Sequence, residues 1–172
     1  MKRLPDRELN GTLSVDVIAG NQQLILRRDV IKTVGWPDTR LFFGLEEPEY
    51  CLRIRRAGYR LLVDGQLMRE ARARAGRLNL KQPRSLRPCA SRGEIWRQYY
   101  STRNYIFMMR QTFHRSDLAR RESLKAIGRA LFSWGRGPRY GATFTRLQLR
   151  GLLDGYLNRM GRTVLPRTKE TS

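Results

Sequence analysis

Glu46-Glu47-Pro48-Glu49-Tyr50-Cys51-Leu52-Arg53-Ile54-Arg55-Arg56-Ala57-Gly58-Tyr59-Arg60-Leu61-Leu62-Val63-Asp64-Gly65 decides how the first half of this chain is read. Proline suits the first position of a helix, because its fixed φ fits and its missing N–H needs no partner there. The spacing predicts a helix over 48–57, with Tyr50, Cys51, Ile54 and Ala57 inward and Arg53, Arg55 and Arg56 outward. Gly58 ends it. Tyr59 to Val63 reads as a strand, Asp64-Gly65 as a turn and Gln66-Leu67-Met68 as a further strand.

Upstream, Val15 to Ile18 and Gln23 to Leu26 read as short strands separated by the turn signal Gly20-Asn21. Asp29 to Val34 reads as a short helix stopped by Gly35, and Trp36 to Arg40 as a loop. Downstream, residues 71–93 lack a periodic pattern and read as a basic loop. The second half is helical in pattern. Glu94 to Phe113 places Ile95, Tyr99, Thr102, Ile106, Met109 and Phe113 at helical spacing. A second helix begins near a capping Asp117 and runs to Trp134, with Leu118, Leu124, Ile127, Leu131 and Trp134 on its apolar side. A third spans about 142–160, with Leu149, Leu152, Leu153, Tyr156 and Met160 on a face. The last twelve residues are expected to fray. Three regions follow: 1–70, a linker 71–93, and a helical region 94–172.

The chain has 172 residues and a formal net charge of +20, from 35 Lys+Arg against 15 Asp+Glu. Hydrophobic residues make up 40%, enough for a core and too many for a disordered basic tail. No apolar run is long enough to span a membrane. The opening Met1-Lys2-Arg3-Leu4-Pro5-Asp6 lacks the apolar stretch of a secretory signal, which leads to the expectation of a cytoplasmic protein. Two cysteines and one histidine make neither a disulfide framework nor a zinc finger. Residues 87–172 hold 18 basic and 5 acidic side chains, so the excess charge lies with the helices. Such a field attracts polyanions: nucleic acid, anionic lipid or phosphorylated substrates.

The chemical signal is the acidic cluster. Glu47 falls immediately before the predicted helix, where Glu is a poor cap but feels the positive end of the helix dipole. An ionised carboxylate at a loop–helix junction suits a general base. Glu46 can hydrogen-bond a polyhydroxylated ligand, and Glu49 lies in the first turn. The same three residues also read as ordinary dipole chemistry. Asp38 either binds ligand or shapes the Pro37-Asp38 turn. Trp36 and Phe42 read as packing residues, Cys51 as a small buried hydrophobe and His114 as a surface residue.

The segment from Val15 to Arg60 resembles the second half of the catalytic domain of family 2 glycosyltransferases, of the rhamnosyl- and galactofuranosyl-transferase kind. The residues that carry the likeness begin with Val15-Asp16 followed by a glycine. Next come Leu24-Ile25-x-Arg27-x-x-Val30-Ile31-x-x-Val34-Gly35-x-Pro37-Asp38 and then Leu41-Phe42-Phe43. The acidic cluster and Glu49-Tyr50-Cys51-Leu52-Arg53-x-Arg55-x-Ala57-Gly58-Tyr59-Arg60 complete it. The likeness implies an α/β fold: part of a GT-A-type nucleotide-sugar transferase, with few strands and short helices, followed by an α-helical C-terminal region. It implies inverting transfer from a nucleotide-sugar donor to a cell-envelope glycan or lipid-linked acceptor. In the family's acidic pair, commonly Glu-Asp, the second member is the base and the first helps bind acceptor; these fall on Glu47 and Glu46. Glu49 and Asp38 are further acceptor-side candidates.

The complete family enzyme implies a divalent metal, Mg or Mn, but its Asp-x-Asp motif is absent from this sequence. The position of a histidine that helps bind metal in many members falls on Arg69 or Glu70. The expectation is therefore a truncated or partial enzyme without the nucleotide-binding half.

Trp96, Arg97, Tyr100 and Arg103 combine aromatics with arginines in a Tyr-Tyr-x-x-Arg-Asn segment that extends the likeness. They are expected to touch an anionic membrane surface at the inner face of the cell membrane. A non-catalytic basic protein that binds membrane or nucleic acid is the alternative, although no known nucleic-acid-binding signature is present.

Overall fold

A computed structural model describes residues 4–18, 24–76, 78 and 90–165. It is mostly helical, with one small antiparallel sheet, so the chain is an α/β unit joined to a helical one. The two compact units are Met1–Pro37 with Glu47–Pro83, and Asp38–Glu46 with Arg84–Ser172. The segment from Asp38 to Glu46, placed by sequence with the first region, thus belongs with the helices.

In the α/β unit, β1 (Thr12–Val15) pairs antiparallel with β2 (Leu61–Asp64), Leu13 opposite Val63 and Val15 opposite Leu61. Three helices accompany them: α1 (Arg28–Val34), α2 (Glu46–Arg56) and α3 (Gly65–Arg74). Ile18, Val30, Tyr50, Cys51, Ile54 and Leu61 form the core. Cys51 is a free, buried thiol whose pKa is raised, chiefly by burial.

Several expectations are corrected here. The first strand lies earlier than Val15–Ile18, and Leu24–Leu26 adopt no regular structure among the described residues. The predicted strand Gln66–Met68 is the start of α3. Asp64 does not turn one strand into another; its Oδ1 accepts from the N–H groups of Gln66 and Leu67, at 2.9 and 3.0 Å, and caps α3. A side chain at Gly65 would lie 2.6 Å from the Asn10 nitrogen, so the strand–helix corner leaves no room for one. The linker also shortens, since α3 runs to Arg74 and a 3-10 turn forms at Arg92–Glu94. The Gly20-Asn21 turn, Gln23, Cys89 and most of the remaining linker lie outside the described residues.

The helical unit contains α4 (Ile95–Phe107), extended by a π-helical turn at Met108–Thr112, then α5 (Ser116–Ser133) and α6 (Pro138–Tyr156). Gly151 and Gly155 let α6 approach α4 closely. A Cβ at either would lie 2.8 Å from a main-chain oxygen of α4, that of Tyr99 or Arg103. The buried side of α5 is made of Ala119, Ala126, Ala130 and Ser133.

This packing bears out only part of the face expected from sequence. Leu118, Leu152 and Tyr156 pack against the core, but Leu124, Leu131 and Leu153 are 70%, 69% and 61% exposed, because small residues line much of the helix contacts. Asp117 does not cap α5; it pairs with Arg115, at 2.9 Å. The segment 161–165 is also not frayed where described: the main-chain N–H groups of Thr163 and Val164 donate to the Tyr100 hydroxyl.

Candidate functional site

The loop from Asp38 to Glu46 is built by local chemistry and anchored within the helical unit. Asp38 forms an Asx-type turn, its Oδ1 accepting from the Arg40 main-chain N–H at 3.0 Å. Both carboxylate oxygens also accept from the Arg40 guanidinium. Further along, Phe43, Gly44 and Leu45 take φ of 58°, 85° and 70° in succession. Two of these are bulky L-residues in the left-handed region, each costing about 1–2 kcal/mol. Such backbone persists only where its surroundings over-determine it.

Here Asn104 supplies the constraint. Its Nδ2 donates toward the carbonyls of Phe42, Phe43 and Gly44, at 3.2, 3.3 and 2.8 Å. Ring contacts add to it. Phe42 meets Tyr100 edge-on at 5.0 Å, and Phe43 meets Trp96 at 4.6 Å. The Gly161 N–H donates to the Arg40 carbonyl.

Immediately after this loop, α2 opens with the acidic residues. Glu46 is its first residue and Glu47 its second, so Glu47 sits inside the first turn rather than at the cap. The Glu47 side chain is exposed. Glu46 is half-buried, and its Oε2 is sealed from solvent with no hydrogen-bond partner among the described residues. Glu49 is 1% exposed and accepts from Nε and Nη2 of Arg53, at 2.9 and 3.0 Å. The same guanidinium donates to the carbonyls of Val34 and Trp36. Arg53, expected outward, is thus turned in to tie α2 to the end of α1.

These contacts sort the nominated residues. Glu49 and Asp38, nominated as acceptor-side groups, each have both carboxylate oxygens bound by an arginine, Arg53 and Arg40 respectively. Glu46 and Glu47 remain at the start of α2. Tyr100 and Arg103, expected at a membrane surface, are each fully buried. Arg103 donates to Asn104 Oδ1 and to the Gly161 carbonyl, and Tyr100 holds Thr163 and Val164, so neither reaches lipid. Trp96 is half-buried against Phe43; Arg97 is exposed, with its guanidinium over the same ring.

Sequence reasoning missed Asn104. Its signal was a polar residue next to the apolar positions of α4, where a buried amide needs partners. Among the described residues, no group of three or more His, Cys, Asp or Glu side chains could hold a metal ion. No described helix is long and apolar enough to cross a membrane. Comparison with protein-family profiles, curated proteins and solved structures finds no match to this chain.

Proposed function

We propose that this chain carries the acceptor side and the general base of an inverting sugar transferase of the family 2 type. The observation that supports this most is the passage from residue 43 to residue 47. A strained loop, whose carbonyls at Phe42, Phe43 and Gly44 all lie within hydrogen-bond reach of one amide nitrogen, leads straight into a pair of carboxylates in the first turn of a helix. Strain of this kind collects at working sites. Of the four carboxylates nominated by sequence, Glu49 and Asp38 are bound by Arg53 and Arg40, and Glu46 and Glu47 open α2.

In this reading Glu47 takes the proton from an acceptor hydroxyl. That oxygen attacks the anomeric carbon of the donor sugar, and the nucleotide leaves with the bonding electrons, inverting the centre. Glu46, beside it in the first turn, accepts a hydrogen bond from a neighbouring hydroxyl of the acceptor. The donor is a nucleotide sugar, and the acceptor is a cell-envelope glycan or a lipid-linked sugar at the cytoplasmic face of the membrane. No step is assigned to a metal. The test is transfer of labelled sugar in membranes of the organism that makes the protein, comparing the native chain with Glu47→Gln. Loss of transfer with the fold intact is expected; undiminished transfer overturns the assignment.

A further inference from the structure

We infer that the hairpin of α5 and α6 is an in-plane docking face for an anionic lipid bilayer. The two helices are antiparallel. Ser123, near the start of α5, meets the hydroxyl of Tyr156 at the end of α6, at 3.0 Å. Thr145, early in α6, donates to the carbonyl of Ala130, late in α5, at 3.4 Å. Three exposed apolar residues of α5 each follow one on the packed side: Leu124 after Ser123, Ile127 after Ala126, Leu131 after Ala130. Along α6 and just past its end, Leu153 and Leu157 follow Leu152 and Tyr156 in the same way, and Leu149 lies one turn before Leu153. One step turns a helix by about 100°. In an antiparallel pair, equal turns from the contact line bring both rows to the same side. The hairpin therefore presents one apolar strip made from both helices, with Trp134, 49% exposed, at its closed end.

The strip is edged by cations. Arg120, Arg139 and Arg146 are exposed and form no ion pair among the described residues. Beside Leu149, Leu153 and Leu157, a groove of about 450 Å³ is lined by Arg146, Arg150 and Arg159. The carboxylates here are already engaged: Asp154 is buried, taking the Tyr99 hydroxyl and Arg150, and Asp117 pairs with Arg115. Apolar residues at the centre with arginines at the margin match the acyl boundary and phosphate layer of a bilayer. A second copy would set these cations against one another, and a nucleic-acid backbone would leave the leucines uncovered. This inference does not depend on the role of Glu47.

The test is co-sedimentation of the full chain with vesicles of phosphatidylcholine alone and of phosphatidylcholine mixed with phosphatidylglycerol. Binding to the anionic vesicles is expected, weakening as salt rises. The double variant Leu131→Glu/Leu153→Glu changes residues that are mostly exposed, so its thermal unfolding should match that of the native chain. Its partitioning should fall by about tenfold or more, since each charge enters an apolar layer. Arg139→Gln/Arg146→Gln should reduce the preference for phosphatidylglycerol. The inference is overturned if the native chain ignores anionic vesicles, or if the leucine variant binds them as well as the native chain does. It is equally overturned if the leucine variant's sole defect is loss of a dimer or of a nucleic-acid complex.

Discussion

Arg103 donates from Nε and Nη2 to the one oxygen Oδ1 of Asn104, at 3.0 and 2.9 Å. This leaves the amide nitrogen of Asn104 facing the carbonyls of Phe42, Phe43 and Gly44. An asparagine amide alone could turn either way; the guanidinium, which has donors only, fixes it. The Arg103-Asn104 pair thus acts as a unit, holding the loop that enters α2. Asn104→Ala should lower unfolding stability by about 1–3 kcal/mol, the cost of leaving buried polar groups without partners. Urea denaturation measures it, and a change below about 0.5 kcal/mol would contradict this role.

The left-handed residues give a second expectation. Leu45→Ala keeps a Cβ in an unfavourable backbone region and removes the side chain, whereas Leu45→Gly removes the same contacts and the strain. Glycine should therefore be the more stable of the two, by about 1 kcal/mol. Alanine proving the more stable would mean that the φ of 70° at Leu45 carries no strain.

The α4–α6 contact separates small residues from large ones. Gly155→Ala should destabilise by about 1–3 kcal/mol, because the new methyl meets the Arg103 carbonyl oxygen. Leu153→Ala, at a position 61% exposed, should change stability by no more than about 0.5 kcal/mol. Chemical denaturation of both variants decides it; the reverse order would restore the leucine face as the packed one.

The exposed leucines show where the sequence was legible and where it was not. The helices α1, α2, α4, α5 and α6 were readable from periodicity and breakers, and so were the inward roles of Tyr50, Cys51 and Ile54. The choice of face in α5 and α6 was not. Hydrophobic periodicity identifies an apolar stripe but cannot tell whether a neighbour or the surroundings cover it. The spacing Gly151-x-x-x-Gly155 and the Ala126, Ala130 row were the better guides, since close helix packing depends on small side chains. The sheet was only partly readable. Asp64-Gly65 suits a hairpin and a helix cap equally, and only the fold distinguishes them. At the candidate site, Glu46 and Glu47 stood out, but the occupation of Glu49 by Arg53 and of Asp38 by Arg40 could not be read from residue types alone.

Tyr99 links the bundle to pH. Burial pushes its hydroxyl pKa up first, and the hydrogen bond to Asp154 adds to this. A raised folded-state pKa favours the protonated form. Its stabilisation is therefore complete below the ordinary phenol value of about 10 and is lost as pH rises through the folded value. Unfolding midpoints should be steady across neutral pH and fall above about pH 10. Tyr99→Phe should flatten part of that fall, with the rest following Tyr105, whose pKa burial also raises. An identical alkaline slope in the variant would remove Tyr99 from the explanation.

The most direct measurement is sugar transfer by three forms of the chain in membranes of the organism that makes it: native, Glu47→Gln and Glu47→Asp. Labelled sugar entering the glycan and lipid fractions is the readout, and unfolding curves of the purified chains are the control. Glu47→Gln should lower transfer by about a hundredfold or more, the usual share of a general base, with stability within about 0.5 kcal/mol of native. Glu47→Asp, which keeps the carboxylate and resembles the family's own pair, should retain transfer. Wild-type transfer by a folded Glu47→Gln chain would contradict the assignment.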